Sequence, residues 1–205
     1  MNKIHASIYI GFGLLAMSAV ITEIVTLIGR GTFNIVNFFS FFTIESNLFA
    51  AVILIIGGYY ILKHKIPSTR FNILRGASTL YMTITGIIFS LLLAGLEGVQ
   101  LTAVPWDNTV LHYIMPLAVV ALWCIDPPKQ RMSYGVAFLW LLFPVAYGIF
   151  TWVRGAIVDW YPYPFMNPEI SGIQGLVIVS LGLAIGGVAA GLLLVWRANQ
   201  AVKSA

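Results

Sequence analysis

The sequence predicts an all-α polytopic membrane protein, a single domain made of a bundle of six transmembrane helices. Three observations carry this. Of 205 residues, 60% are hydrophobic and only 9% are charged, about a third of the charged share usual in a soluble domain. The mean hydropathy is +0.92, and aromatics make up 14% of the chain. The apolar residues also run on for roughly 20 positions at a time, the length a helix needs to cross a bilayer core. A barrel strand would instead alternate over about 10 positions. The same composition excludes a disordered chain, a nucleic-acid module and an ordinary soluble enzyme. The lone cysteine, Cys124, excludes an intramolecular disulfide and a thiolate metal cluster.

The first helix is expected over residues 5–29. That run is too long for a signal-peptide core and lacks a small-residue cleavage site, so no cleavable leader is expected. The second, 38–62, carries an unusual density of polar residues near its start. The third spans 76–96, and the fourth, 109–124, is the shortest. The fifth covers 133–152 and the sixth 173–196. The sixth is rich in small residues, with Gly182, Gly186 and Gly187 beside Ala184, Ala189 and Ala190. Such residues allow close helix packing, within the chain or against a partner, so no particular oligomer is predicted. The longest connection, 154–172, holds Trp160-Tyr161-Pro162-Tyr163-Pro164-Phe165. It reads either as an aromatic belt at the interface or as a lid over an acyl-chain entrance.

Charge sets the orientation. With the N-terminus inside, the inner side carries Lys3, Lys63, Lys65, Arg70, Arg75, Lys129, Arg131, Arg197 and Lys203, leaving only Arg30 and Arg154 outside. Lys and Arg avoid the translocated side, so both termini are expected in the cytoplasm. The net charge of +4 is therefore a topology signal and not a nucleic-acid footprint.

Ionisable groups inside a membrane are costly and are functional candidates by default. Glu23, Glu45, His112 and Arg154 all fall near the outer ends of their helices. This one-sided cluster points to a site opening toward the outer leaflet. In the second helix, Ser40, Thr43 and Asn47 share a stripe at helical spacing, with Glu45 nearly opposite. A structural reading has Thr43 bonding back to its own helix and Asn47 joining two helices. His112 is the one histidine at this depth, since His5 and His64 lie toward the inner side. A bis-histidine haem and a three-histidine zinc are thereby excluded, and no metal or organic cofactor is expected. A chemical reading pairs Thr43 as nucleophile with His112 as base. Asn47 would then serve as an oxyanion donor. Arg154 would anchor a substrate carboxylate, and Glu45 or Glu23 would orient His112 or balance Arg154.

The run Phe38-Phe39-Ser40-Phe41-Phe42-Thr43-Ile44-Glu45-Ser46-Asn47 resembles a signature of a bacterial six-helix membrane family. So do Leu111-His112-Tyr113-Ile114-Met115-Pro116-Leu117 and Trp160-Tyr161-Pro162-Tyr163-Pro164-Phe165, with Tyr147, Arg154 and Gly155 before the last. That family is similar to the androgen-induced and androgen-dependent TFPI-regulating proteins of animals. The resemblance implies a transmembrane threonine hydrolase that cleaves fatty acid esters of hydroxy fatty acids in the bacterial cytoplasmic membrane. It implies that Thr43 and His112 are the catalytic pair, and Ser40, Glu45, Asn47, Tyr147, Arg154, Tyr161 and Tyr163 match the bacterial pattern. The expected partner is a membrane lipid or lipid ester. A non-enzymatic lipid-binding protein or small transporter, and a structural membrane subunit, stand as alternatives.

A reporter active only in the cytoplasm, fused after Ala205, should be active. A signal from a periplasm-specific reporter at the same point would reverse the orientation.

Overall fold

The computed structural model describes residues 2–96 and 101–203, and no strand occurs among them. Six helical spans are long and apolar enough to cross a membrane, which makes this an integral membrane protein. They are Lys3–Gly29, Phe42–Leu62, Thr69–Leu93, Pro105–Ile125, Gly135–Val158 and Pro168–Lys203, taken below as the first to sixth spans. Six crossings bring the two termini to one side of the bundle. The opposite end is called distal here.

Several boundaries differ from the sequence expectation. The second span begins at Phe42 and not at position 38. A short helix, Ile35–Phe38, ends first, and the chain turns through 39–41. Hydropathy cannot see this break, because the aromatic residues on both sides are equally apolar. The third span starts at Thr69, where the Ser68 hydroxyl caps the Phe71 N–H at 3.2 Å. It therefore takes in Arg70 and Arg75, which the charge count had placed in a loop. The first span ends where Gly31 adopts φ +68. There Gly31 donates to Ile28 and Thr32 to Leu27, each at 3.0 Å. The sixth span runs on from Pro168 to Lys203 through Gly172, whose φ of +64 and ψ of 166 break the helical path without a Cβ penalty.

The first and second spans form the most extensive pairing, and the third packs against the second, fourth and sixth. Two apolar cores result. One joins the first to fourth spans around Tyr9, Leu54, Met82 and Leu111. The other joins the third to sixth spans around Leu80, Trp123, Trp140 and Val195. Near the termini they are pinned by Arg75, whose guanidinium lies 5.5 Å from the Tyr9 ring and 5.6 Å from the Trp123 ring. Its Nη2 donates to the Tyr9 hydroxyl at 2.7 Å, and that hydroxyl donates to Asp126 at 2.8 Å. A buried cation needs this degree of satisfaction to be tolerated.

The fifth span is in two parts, Gly135–Trp140 and Leu142–Val158. The first part is clamped. The Trp140 indole donates to the Ile73 carbonyl at 2.8 Å, and its ring covers Gly76. Gly187 and Gly191 of the sixth span close on Leu141 and Ala137, so part of the small-residue face serves packing within the chain. The second part diverges from the sixth span toward the distal end, and a cavity opens between them.

A Cβ on Gly76 would sit 2.1 Å from the Trp140 ring. Gly76→Val should therefore destabilise the fold by about 1–3 kcal/mol, the usual size of overpacking. Gly182 has nothing within 4 Å of its added Cβ, so Gly182→Ala should leave the melting temperature in detergent close to that of the parent. Equal melting temperatures for the parent and Gly76→Val would contradict the packing described.

Candidate active site

The second span begins without a local cap. Its N-cap residue, Phe41, has no side-chain acceptor to offer. Four N–H groups at a helix start need partners from elsewhere. Ile44 and Glu45 find the Phe41 carbonyl, at 3.0 and 3.2 Å. Phe42 and Thr43 find tyrosine hydroxyls from remote elements. The Phe42 N–H donates to Tyr147 at 3.3 Å, and the Thr43 N–H donates to Tyr163 at 3.2 Å. Tyr147 in turn donates to the Ser40 carbonyl at 2.8 Å.

Thr43 is buried, and its Oγ1 lies 3.2 Å from His112 Nε2 and 3.2 Å from the Tyr163 hydroxyl. Hydrogen-bond directions follow from what each group can do. His112 Nδ1 sits 3.2 Å from the Asn108 carbonyl, which can only accept. The ring proton is therefore on Nδ1, and Nε2 presents its lone pair to Thr43. The Thr43 hydroxyl donates to that lone pair. The Tyr163 hydroxyl accepts from the Thr43 N–H and donates to Thr43 Oγ1. One continuous chain results, running from a helix N-terminus through a phenol and a threonine to an imidazole. Burial pushes the Tyr163 phenol above its usual range, so it remains a donor.

The backbone around His112 is widened. Residues Val110–Ile114 form a π turn, with the Met115 N–H bonded to the Val110 carbonyl, a distortion frequent at functional sites. A second π turn, Phe89–Leu93, lies in the third span, and Phe89 stacks on the His112 ring at 4.2 Å and 21°. Pro116 follows the first π turn and lies 2.8 Å from a Cβ built on Gly86, so these two spans touch almost backbone to backbone.

Thr43 separates two cavities. One, of about 270 Å³, runs between the third, fifth and sixth spans and is lined almost wholly by hydrocarbon, including Ile84, Ile88, Val145, Gly148 and Leu183. The other, of about 320 Å³, lies beneath the distal connections and adds Glu23, Arg30, Thr32, Asn34 and Thr102 to an apolar lining that includes Leu27 and Ile44. Thr43 and Tyr163 line both, but His112 lines only the polar one.

The structure corrects several roles assigned from spacing. Ser40 shares no helical stripe with Thr43, because the turn at 39–41 lies between them. Its hydroxyl donates to Val36 at 2.6 Å, and it is the Ser40 carbonyl that meets Tyr147. Asn47 cannot donate to an oxyanion, since its Nδ2 is taken by the carbonyls of Thr43 at 2.9 Å and Leu111 at 3.1 Å. It joins the second span to the fourth instead. Neither glutamate orients His112, whose Nδ1 goes to Asn108. Both Glu23 oxygens accept from the Ala103 N–H, at 2.9 and 2.8 Å, and this ties down the connection before the fourth span. Glu45 has a buried Oε2 with no hydrogen-bond partner among the described residues. Arg154 meets no carboxylate among the described residues. It donates to Asn37 Oδ1 at 2.5 Å and lies 4.9 Å from the Trp160 ring. Tyr161 lines neither cavity at Thr43 and packs against Gly155, holding the 160–166 loop on the fifth span. Sequence reasoning missed Phe89 and the Asn108 carbonyl. A phenylalanine in an apolar run gives no signal, and a backbone carbonyl has no side chain to notice.

Comparisons with protein-family models, curated proteins and solved structures find no match to this chain.

The hydrogen-bond chain requires a single histidine tautomer. In ¹⁵N-labelled protein at neutral pH, the resonances lost in His112→Gln should be those of a ring protonated at Nδ1 and bare at Nε2. A proton on Nε2 would refute the chain.

Proposed function

We propose that this protein is a membrane-embedded ester hydrolase with Thr43 as nucleophile and His112 as general base. One observation carries the reading. A buried threonine hydroxyl meets the unprotonated nitrogen of a histidine whose other nitrogen is anchored to a backbone carbonyl. Threonine is a weak nucleophile until such a base takes its proton, and a base oriented by a third group is the recurring solution. The resemblance of the three sequence stretches to a bacterial family that is itself similar to the threonine hydrolases supports the same pair.

The reaction balances with these residues alone. Thr43 Oγ1 attacks the ester carbonyl carbon while its proton passes to His112 Nε2. The carbonyl π electrons move to oxygen. The Tyr163 phenol, now free of its bond to Thr43 Oγ1 and still accepting from the Thr43 N–H, donates to that oxyanion. This phenol sits at the positive end of the second span. Collapse breaks the bond to the alcohol oxygen, which takes the proton from His112 and leaves. Water then gives a proton to His112 and attacks the acyl-threonine, and collapse returns Thr43 its proton and frees the acid. Tyr147 keeps the first turn in place by holding Phe42 and Ser40 together.

The hydrocarbon cavity favours a lipid acyl group. It opens where the distal halves of the fifth and sixth spans diverge, on a face where Val145 and Ile149 are exposed to lipid. An acyl chain enters there from the membrane. With cytoplasmic termini, the distal site belongs to the outer leaflet of a bacterial cytoplasmic membrane.

Thr43→Ala and His112→Ala should each lower kcat/KM on a lipid ester by about 10³-fold or more, since members of a catalytic unit fail together. Tyr163→Phe should lower kcat by about 10²–10³-fold, the usual loss of an oxyanion donor. A fluorophosphonate probe should mark Thr43 in the parent and not in His112→Ala. Full turnover in Thr43→Ala would refute the mechanism. Bound lipid that survives purification and is never cleaved would move the assignment to lipid binding.

A further inference from the structure

The two cavities are chemically unlike, and the histidine belongs to only one of them. This asymmetry orients any ester cleaved at Thr43. The proton taken from Thr43 must be delivered to the leaving alcohol oxygen, so that oxygen departs on the side of His112. His112 lines the polar cavity and is absent from the wall of the hydrocarbon one. The alcohol half therefore lies in the polar cavity, and the acyl half lies across Thr43 in the hydrocarbon cavity.

The polar cavity also restricts what that alcohol can be. Its mouth is formed by the distal connections, through Arg30, Thr32, Asn34, Thr102 and Trp160. It leads to the aqueous face, whereas the hydrocarbon cavity leads to lipid. A long alkyl alcohol placed there would strip water from the exposed Arg30, Thr32 and Asn34 side chains and return no hydrogen bonds, a loss that polar sites impose on apolar intruders. A hydroxylated alcohol would replace that water with hydrogen bonds of its own.

We propose that the substrates are acyl esters of small polar alcohols, with one fatty acyl chain and a hydroxyl-bearing headgroup, and not esters joining two long chains. The inference rests on the hydrolase reading. It departs from the esters of hydroxy fatty acids that the sequence resemblance implies, because their alcohol half carries a long chain of its own. The chemistry is unchanged. The acyl C–O bond breaks, the headgroup oxygen takes the His112 proton, and the alcohol leaves to water while the acyl group remains on Thr43. Water arrives by the path the alcohol vacated.

The test uses the full-length protein in mixed micelles and three palmitate esters at equal mole fraction. They are 1-monopalmitoylglycerol, the palmitate ester of 12-hydroxystearate, and hexadecyl palmitate. The glycerol ester should exceed both others in kcat/KM by at least about 100-fold, within the range that a hydrogen-bonding site imposes on a substrate lacking its polar groups. Two variants read the two halves separately. Gly148→Trp, in the hydrocarbon cavity, should lower kcat/KM for monopalmitoylglycerol far more than for monobutyrylglycerol. Arg30→Leu should narrow the gap between monopalmitoylglycerol and hexadecyl palmitate. Comparable cleavage of all three palmitates, or preference for either two-chain ester, overturns this inference and leaves the hydrolase reading standing. Cleavage of none, with Thr43 unlabelled by fluorophosphonate, overturns both.

Discussion

The uncapped first turn of the second span is the constraint on which the site depends. A soluble helix would start with Ser, Asp or Asn and satisfy its own N–H groups. Here Phe41 stands at that position, and the Phe42 and Thr43 N–H groups are held by Tyr147 and Tyr163. In an environment poor in water, each unmet donor costs about 1–3 kcal/mol. The fifth span and the 160–166 loop are therefore drawn to the start of the second span by its unpaired backbone. The same two bonds that close the fold place a phenol against the Thr43 hydroxyl. Scaffold and site are one arrangement, and this is why so much of the polar surface near Thr43 is backbone and tyrosine instead of charge.

The opposing wall obeys a similar logic. The π turns at Phe89–Leu93 and Val110–Ile114 leave the third and fourth spans locally irregular in the membrane. Irregular backbone is tolerated there only where it is buried in protein or lines a cavity. The two turns face each other, and Phe89 covers the His112 ring. The Gly86–Pro116 contact brings their backbones close enough to hold this geometry. His112 is thus fixed by a stacked ring, by the Asn108 carbonyl and by Thr43. Among the described residues no carboxylate takes part, so the imidazole is oriented without a charged partner.

The parts of this arrangement legible in the sequence are those that hydropathy and residue type encode. The six spans could be read because each is a continuous apolar run, and their ends were misjudged where helices extend into polar interface, as at Thr69 and Pro168. Thr43 and His112 stood out because polar groups are rare at that depth. Ser40 falls outside the helix its spacing predicts because phenylalanines on both sides of the turn at 39–41 continue the apolar pattern. Asn47 was read both as glue between helices and as an oxyanion donor. Only the acceptors of its amide decide between these, and both are carbonyls. Glu23 and Arg154 drew attention as intramembrane charges, yet each holds a connection, through Ala103 and through Asn37. Charge at depth marks a group that must be satisfied, and it does not tell what satisfies it.

On the hydrolase reading, the placement of His112 also explains how one base serves both halves of the reaction. The first half needs a proton delivered to the departing alcohol, and the second needs one removed from arriving water. One imidazole can do both only if alcohol and water use the same side of the acyl carbon. The polar cavity supplies that side, because it opens between the distal connections while the hydrocarbon cavity opens to lipid. Water entering from the lipid side would approach the acyl-threonine away from any base. A dry acyl cavity and a wet leaving-group cavity, divided by a single threonine, therefore suffice to order the two steps without a moving part.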